Sequence, residues 1–544
     1  MPSRLAYNMM SRGYALSLGS ETLFLFTAYI IFTSCCFAKA TSSNLIQEPS
    51  NVICSSMAQS NNVPSLFEAA TTCEEETEEE NGLRKVLFTN NVTCNDGTPA
   101  GFYIREAVNS KKWIVYLEGG WYCYSEQNCR DRWSRVKYLM SSEQWPAFRS
   151  GHGILSNDPN ENPYWWHANH VFVPYCTSDI WSGRRSVPTR SGSFTFMGAV
   201  IIKQMVKELL NIGLKNANSL TIAGSSAGGV GVMLNLEPVQ RLLTRYGATK
   251  VRLRGITDSG WFLDQPPFIL NSDIVTPVQA VKQGFPMWRS QIPHTCRMTY
   301  PRELWKCFIG YRIYPTLSVP LFVFQWLFDE VQMKVENVGT PVTKQQWEYI
   351  HTMGEILRNS FQNVTSVFAP SCISHSILSR KDWHYIRIDD ISLPDALRCW
   401  ERQTKSKTLE NAMETKLRRR MSQMTYPPET SHQSAKKQRK KRKKSKQNKK
   451  NEKQKRKNFQ RNRLLRSTNT CSHRLLERCS WPQCNHYCPK LQNPVTGEEL
   501  DLLELLKSFG LDMMNVATAL GVDIHTLNNM GQRELISLLT QQAN

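Results

Sequence analysis

The stretch from Leu220 to Gly229 (LTIAGSSAGG) constrains the fold of this chain more than any other. An apolar run leads into it, and a glycine-rich and then apolar run leads out, which is the context of a strand, a tight turn and a helix. Its centre, Gly224 to Gly228, matches the pattern G-x-S-x-G, whose small residues let the backbone close around the middle serine. The context predicts a nucleophile elbow at Ser226, against the alternative of an ordinary Gly/Ser turn.

Short apolar runs alternate with a longer helical pattern between residues 83 and 400. The runs interpreted as buried strands are Lys112–Leu117, His170–Val173, Leu220–Ala223, Val251–Thr257 and Leu321–Trp326. Phe196–Leu210 instead has the apolar spacing of a helix. Strands that alternate with helices predict βαβ units and a mostly parallel sheet. We therefore expect one large α/β domain over 83–400.

Nearly all of the net charge is concentrated in one block. The 544 residues carry 67 Lys+Arg and 46 Asp+Glu, a net charge of +21, and residues 405–466 alone hold 24 basic and four acidic residues. The rest of the chain is close to neutral, which argues against a general nucleic-acid binder. Residues 401–466 are too polar to bury a core and are expected to be a disordered insertion. A Cys-containing segment, 467–544, follows and has helical patterns at Leu500–Phe509 and Val516–Leu520.

The first 40 residues predict secretion. Two arginines precede an apolar run, Leu23–Phe37, and Ala38 to Ala40 follows as a small-x-small cleavage pattern. The alternative is a membrane anchor, but the apolar run is shorter than the roughly 20 residues that a spanning helix needs. Residues 41–82 contain an acidic run without apolar periodicity and are expected to be a disordered leader. We expect an extracellular protein with no transmembrane segment.

The cysteines and the two Asn-x-Ser/Thr sequons fit an extracellular chain. Of the 16 cysteines, 14 follow the expected cleavage site, and an oxidising compartment should hold most of them in disulfides. The spacing of Cys123 and Cys129 would permit a small local loop. Cys471, Cys479, Cys484 and Cys488 lie near two histidines and make zinc an alternative, but secretion favours disulfides and no metal or cofactor is predicted. Asn91 and Asn363 are expected glycosylation sites.

A serine nucleophile also needs an acid and a histidine, which follow it in that order in this type of elbow. Asp258 and Asp329 each follow a predicted strand, so both are candidates for the acid. The downstream histidines are His351, His375 and His384. His375 lies in a loop that could present it at the carboxyl edge of the sheet, whereas the helical pattern around His351 is more typical of a packing residue. The residues alone favour Asp329 and His375.

An oxyanion hole requires backbone N–H groups that point at the reacting carbonyl. The strand Lys112–Leu117 is followed by Glu118-Gly-Gly-Trp-Tyr-Cys123, and its glycines allow a loop of that kind. The candidate donors are the amides of Gly120, Trp121 and Ala227. The alternative is a plain Gly-Gly turn.

Seven motifs in the same order resemble the pectin-acetylesterase-like group of α/β-hydrolases, and within it the Notum family of secreted carboxylesterases that inactivate Wnt proteins. They are Gly119–Cys123, Asn162–Trp166, Pro174–Cys176, Gly224–Gly229, Asp258–Asp264, Gln325–Glu330 and Cys372–His375. The match runs from about Leu83 to Trp400 and resumes around Cys479. The family has cysteines within Asn271–Val275 and at Val319, where this chain has none.

The resemblance implies an α/β-hydrolase fold and a palmitoleoyl-protein carboxylesterase, which cleaves the ester between palmitoleate and a Wnt serine. It implies Ser226 as nucleophile, Asp329 as acid and His375 as base, and it leaves Asp258 a structural role. The oxyanion donors would be Gly120, Trp121 and Ala227. The implied lipid pocket comprises Trp121, Tyr122, Phe262, Pro277, Val281, Phe308, Ile309, Val331 and Val335.

The sequence leaves two other functions open. One is a polysaccharide O-acetylesterase, as in plant relatives of this group, and the other is a catalytically inactive glycosaminoglycan-binding protein. For a secreted chain the basic block favours binding to heparan sulfate, for example on glypicans, over a solvated insertion without a partner.

Overall fold

The computed structural model describes residues 82–188, 194–269, 275–338, 343–404, 471–492, 499–500, 512–531 and 534–535. The expected signal peptide, residues 41–81 of the leader and residues 405–466 of the insertion lie outside them. So does the helical pattern predicted for Leu500–Phe509, apart from its first residue.

The described strands form one large sheet and three short pairs. In chain order they are β1 (Leu83–Leu87), β2 (Gly101–Arg105), β3 (Lys112–Leu117), β4 (Phe148–Arg149), β5 (Asn169–Val173), β6 (Ser219–Ser225), β7 (Arg252–Asp258), β8 (Leu321–Phe324), β9 (Phe328–Asp329), β10 (Val367–Ala369), β11 (Ile373–Ser374), β12 (Arg387–Ile388), β13 (Ile391–Ser392), β14 (Arg474–Leu476), β15 (Leu491–Gln492) and β16 (Glu499–Leu500). The large sheet has the order β14-β10-β8-β7-β6-β3-β5-β2-β1-β4. All neighbours from β14 to β5 are parallel, and β2, β1 and β4 add antiparallel strands at one edge. The predicted mostly parallel sheet is confirmed.

Most of the helices lie between consecutive strands, as the alternating sequence pattern predicts. In chain order they are α1 (Glu126–Val136), α2 (Gly198–Asn211), α3 (Ala227–Arg245), α4 (Pro277–Trp288), α5 (His294–Thr299), α6 (Gly310–Ile313), α7 (Glu330–Val335), α8 (Lys344–Ser360), α9 (393–404), α10 (Met513–Leu520) and α11 (Ile524–Asn529). Residues 401–404, the described part of the expected insertion, belong to α9. Among the described helices, none is both long and apolar enough to cross a bilayer.

Both faces of the sheet are buried, which explains why its central strands are continuous apolar runs. In β3, Trp113, Val115 and Leu117 enter one hydrophobic cluster, whereas Ile114 and Tyr116 enter the cluster on the other face. Successive side chains of a strand point to opposite faces, so a strand covered on both sides needs apolar residues at every position. Parallel pairing then brings the carboxyl ends of β3, β6, β7 and β8 to one edge, where the loops of the site begin.

Disulfides join distant parts of the described chain. The pairs are Cys94–Cys176, Cys123–Cys129, Cys296–Cys307, Cys372–Cys488, Cys399–Cys471 and Cys479–Cys484. They confirm the disulfide prediction, including the local Cys123–Cys129 loop. The four cysteines considered as zinc ligands are all used in these bonds. The asparagines of both sequons are exposed, and their glycosylation stays a prediction.

Candidate active site

Ser226 occupies a sharp turn between β6 and α3. Its backbone has φ +56° and ψ −122°, a conformation that non-glycine residues rarely adopt. A Cβ at Gly224 would lie 2.5 Å from the Gly228 carbonyl oxygen, and one at Gly228 would lie 2.1 Å from that of Leu117. The Ser226 N–H donates to the Asp258 carbonyl at 2.8 Å, which fixes the turn to the end of β7. The glycines of the motif are therefore required by close backbone contacts, as the sequence indicated.

Asp329 and His375 meet at the ends of two short parallel strands. β9 ends at Asp329 and pairs with β11, in a register that sets Asp329 opposite Ser374. The next residue, His375, has its Nδ1 2.9 Å from Asp329 Oδ2 and 3.0 Å from Oδ1. The carboxylate also caps α7 by accepting the N–H of Gln332 at 3.1 Å. Asp329 is fully buried, so its orientation is fixed by these contacts.

The environment of His375 favours its protonated form. Burial alone would lower its pKa, but the Asp329 carboxylate opposes this by its charge and its hydrogen bond, and the net effect is a raised pKa. The negative charges of Asp258 and then Glu330 act on His375 in the same direction. Burial followed by repulsion from Asp329 raises the pKa of Glu330 in turn. A histidine held in this way is suited to take up a proton during a reaction.

Asp258, the other candidate acid, binds the backbone of the histidine loop instead of the imidazole. Its Oδ2 accepts the N–H groups of Ile377 at 2.9 Å and Leu378 at 3.0 Å, and the hydroxyl of Ser225 at 2.5 Å. Ser259 donates to Oδ1 at 2.8 Å. Asp258 is fully buried, and this burial raises its pKa. These contacts give it a structural role at the elbow.

The other two histidines lie in packing environments. The His351 ring, on α8, contacts Phe328, Trp347 and Trp481, with its centroid 4.8 Å from that of Trp481. Burial lowers its pKa. The His384 ring lies 4.0 Å from that of Tyr385. Neither is in contact with Asp329, which pairs with His375.

The loop after β3 approaches Ser226 closely. A Cβ at Gly119 would lie 3.0 Å from the Ser226 Cβ, so this position has no room for a side chain. Gly120 has φ +138° and Trp121 has φ +61°. Within the described structure, neither the Gly120 N–H nor the Trp121 N–H donates to a protein acceptor. The Ala227 N–H begins α3, where helix amides lack an intrahelical partner. All three predicted oxyanion donors are thus near the elbow with uncommitted amides.

An apolar cavity opens beside Ser226. It holds about 540 Å³ of empty space, a figure that includes the part open to solvent. Its walls are formed by Trp121, Tyr122, Ile180, Ser226, Ala227, Val230, Phe262, Leu263, Pro277, Val281, Phe308, Ile309, Gln332 and Val335. The rings of Trp121 and Tyr122 stack at 4.7 Å on one side. The cavity is apolar because nearly all of these side chains are aliphatic or aromatic.

Eight of the nine residues expected to form the lipid pocket line this cavity. Val331 does not, although the Val331 N–H binds the Asp329 carboxylate from the first turn of α7. Sequence reasoning missed Ile180, Val230, Leu263 and Gln332. Val230 follows the elbow by one helical turn, which is a usable signal, but the other three reach the cavity only through tertiary packing.

A mostly parallel sheet with a serine elbow at the carboxyl end of a central strand defines the α/β-hydrolase class. The profile of the pectinacetylesterase family matches residues 83–489. The chain is 41% identical to the palmitoleoyl-protein carboxylesterase NOTUM of Drosophila melanogaster, over 85% of this chain and 87% of that protein. It is 38% identical to the human protein of the same name, over 86% and 85%.

The crystal structure of the Wnt deacylase Notum from Drosophila superposes on this fold with a TM-score of 0.62. The two are 46% identical over 75% of this chain and 99% of that one. This chain therefore belongs to the pectinacetylesterase family and, within it, to the Notum palmitoleoyl-protein carboxylesterases.

Proposed function

We propose that this protein is a secreted carboxylesterase that hydrolyses the ester between palmitoleate and a serine of a Wnt protein, and so inactivates Wnt. The observation that carries this proposal is that Ser226 lies on a nucleophile elbow and also lines an apolar cavity. The substrate follows from relatives that are named palmitoleoyl-protein carboxylesterase and Wnt deacylase.

Ser226, His375 and Asp329 act as the catalytic triad. Asp329 accepts the Nδ1–H of His375, which leaves Nε2 able to take a proton. His375 removes the proton of Ser226 as the serine oxygen bonds to the ester carbonyl carbon. The carbonyl electrons move to oxygen, and the resulting oxyanion accepts hydrogen bonds from the amides of Gly120, Trp121 and Ala227.

Collapse of this intermediate breaks the bond between the carbonyl carbon and the Wnt serine oxygen, which takes the proton from His375. Water then replaces the leaving group. His375 takes one proton from that water, and the hydroxide adds to the acyl carbon of the acyl-enzyme. The second collapse releases palmitoleate and returns the proton to Ser226.

The apolar cavity favours a lipid over an acetyl group as the acyl part. Each buried methylene contributes about 0.8 kcal/mol to binding, so a long chain gains far more from such walls than acetate does. A polysaccharide acetylesterase would need polar groups to bind the sugar. A cavity lined by Phe262, Phe308 and Ile309 offers a sugar no hydrogen-bond partners from these side chains.

Three substrates separate the candidate functions. Wild type and Ser226→Ala are incubated with p-nitrophenyl acetate, p-nitrophenyl octanoate and a palmitoleoylated serine peptide. We expect the wild type to hydrolyse the octanoate and the peptide, and Ser226→Ala to be inactive on all three. Activity on acetate alone would favour the polysaccharide esterase, and no hydrolysis of any ester would favour the inactive binding protein.

The basic block at 401–466 is proposed to hold the enzyme at heparan sulfate chains, such as those of glypicans. Residues 405–466, which lie outside the described structure, carry a net charge of +20, and a polyanion is the natural partner in an extracellular setting. Deletion of residues 436–466 should sharply lower the salt needed for elution from heparin. Unchanged elution would leave the block a solvated insertion without this partner.

A further inference from the structure

We propose that Arg132 is a positioning residue for the oxyanion hole, since its guanidinium holds the Gly120 carbonyl and thereby aims the Trp121 N–H at the substrate. This inference rests on the proposed esterase function and adds a residue outside its triad, its amide donors and its cavity. Arg132 lies on α1, in the middle of a helix whose other arginines face solvent.

The contacts of Arg132 are directed at the loop after β3. Its Nη2 donates to the Gly120 carbonyl oxygen at 2.6 Å, and its Nε donates to Ser178 Oγ at 2.8 Å. The residue is only 8% exposed. Two donors on one planar guanidinium fix both its position and its rotation. Arg132 therefore joins the Gly120 carbonyl rigidly to the neighbouring loop at Ser178.

The held carbonyl and the expected oxyanion donor belong to the same peptide unit. That unit joins Gly120 to Trp121, and in a planar trans peptide the C=O and the N–H point in opposite directions. When Arg132 binds the oxygen on one side, the Trp121 N–H must face the other side. The N–H has no acceptor within the described protein, as is required of a donor that waits for substrate.

The backbone of this loop needs such a restraint. Trp121 has φ +61°, which is sparsely populated for a bulky residue and persists only where neighbouring contacts enforce it. The Cys123–Cys129 disulfide ties the loop to α1, and the Cys123 N–H donates to the Ser178 carbonyl at 3.1 Å. These links hold the far end of the loop, whereas Arg132 holds the peptide that carries the donor.

Arg132 also brings a buried positive charge to this loop. In the part of the chain that the structure describes, no carboxylate forms an ion pair with it. A buried cation without a counter-ion is costly, and its presence here fits a site in which negative charge develops during the reaction. The charge polarises the peptide that it binds, and this strengthens the N–H on the opposite side as a donor.

The test compares Arg132→Met with Arg130→Met, a matched change on the same helix. Arg130 is an exposed side chain whose polar partners among the described residues are Glu126 and Gln127, so its loss leaves the loop intact. The readouts are kcat and KM for p-nitrophenyl octanoate, the affinity for a trifluoromethyl ketone with an octyl chain, and the affinity for palmitoleate. The ketone forms a tetrahedral oxyanion with the serine, whereas palmitoleate reports only the cavity.

We expect Arg132→Met to lower kcat about 10- to 100-fold with little change in KM, below the 10²- to 10³-fold loss typical of removing an oxyanion donor outright. Affinity for the ketone should fall by a similar factor, and palmitoleate should bind as in wild type. Arg130→Met should match wild type throughout. If Arg132→Met is not secreted, Arg132→Lys, which keeps the charge but not the two-donor fork, should show the same selective loss of ketone affinity.

Two results would overturn the inference. One is a kcat of Arg132→Met within twofold of wild type. The other is an equal loss of ketone and palmitoleate affinity, in Arg132→Met or in Arg132→Lys, because that would mean a collapsed site. A wild type that neither hydrolyses the ester nor binds the ketone would instead refute the proposed function itself.

Discussion

The Oδ2 of Asp258 accepts the backbone N–H of Ile377 at 2.9 Å, and this bond links the end of β7 to the loop that carries His375. The same oxygen accepts the Ser225 hydroxyl, one residue before the expected nucleophile. A single buried carboxylate thus sets the distance between the elbow and the histidine loop. Both halves of the site depend on it, although it touches neither the imidazole nor the Ser226 side chain.

Asp258→Ala should therefore lower both stability and activity. It leaves the N–H groups of Ile377 and Leu378 buried without an acceptor, at about 1–3 kcal/mol each. Displacement of His375 by even about 1 Å can reduce kcat on the order of 10²-fold. Urea unfolding and esterase kinetics measure the two effects. The control is Asp131→Ala, which removes a partly exposed carboxylate from α1 and should change neither the stability nor the kinetics. Wild-type kinetics for Asp258→Ala would contradict the role of Asp258 in positioning the histidine loop.

The pH dependence of kcat/KM should report His375. The base must be neutral to accept a proton, and its pKa is raised above the ordinary 6.5 because Asp329 outweighs the effect of burial. Activity should therefore fall on the acid side with a midpoint above 6.5. Asp329→Asn removes the charge, so the midpoint should move down and kcat should fall by about 10⁴-fold. An unchanged midpoint in Asp329→Asn would show that another group controls the profile.

Chain-length preference should depend on the cavity wall. Val281 lines the cavity, whereas Val331, at a position also expected to do so, does not. Val281→Phe fills part of the cavity and should lower kcat/KM for the octanoate at least about 10-fold while sparing the acetate. Val331→Phe should leave the ratio of kcat/KM for the octanoate to kcat/KM for the acetate unchanged. Equal effects of the two variants would contradict the assignment of this cavity to the acyl chain.

The stability of the fold should include a contribution from Glu336 that depends on pH. Its side chain is buried, and its carboxylate accepts a hydrogen bond from the Tyr349 hydroxyl at 2.9 Å and another from Gln332. Burial raises its pKa from 4.5 to about 7, so the folded protein retains a proton that the unfolded chain has lost. This contribution is complete below pH 4.5 and is lost as the pH rises through about 7.

Replacement of Glu336 by Gln removes this titration. As the pH rises from about 5 to about 8, the free energy of unfolding measured in urea should fall more for wild type than for Glu336→Gln. If the free energy of unfolding falls equally in the two proteins, or falls less in wild type, Glu336 is ionised in the folded protein across this range.

The elbow and the sheet could be predicted from the sequence because their signals are local. The strand before Ser226, the glycines around it and the helix after it lie within one short segment, and each follows from backbone sterics. Strand boundaries differ by one or two residues, as at Leu321–Phe324, where the predicted run extends to Trp326.

The residues alone favour Asp329 over Asp258 but do not decide between the two acids. Both follow strands and both are fully buried. The parallel pairing of β9 with β11 decides which carboxylate faces His375, and two-residue strands leave no periodic signal in the sequence. The residues alone favour Asp329, and the resemblance to the Notum family strengthens that choice.

Arg132 could not have been found from the sequence. Helix α1 reads EQNCRDRWSRV, a polar segment with three arginines that all look exposed. Only the packing of α1 against the loops at Gly120 and Ser178 buries one of them. The same holds for Ile180 and Leu263, whose contribution to the cavity depends on loop geometry.

The release of palmitoleate from a palmitoleoylated serine peptide by wild type and Ser226→Ala tests the central claim most directly. Mass spectrometry of the peptide and of the enzyme follows both product and acyl-enzyme. We expect wild type to release the fatty acid and to form a transient adduct on Ser226, and we expect Ser226→Ala to do neither. Equal release by both proteins, or an adduct on another residue, would contradict the assignment of Ser226 as the nucleophile.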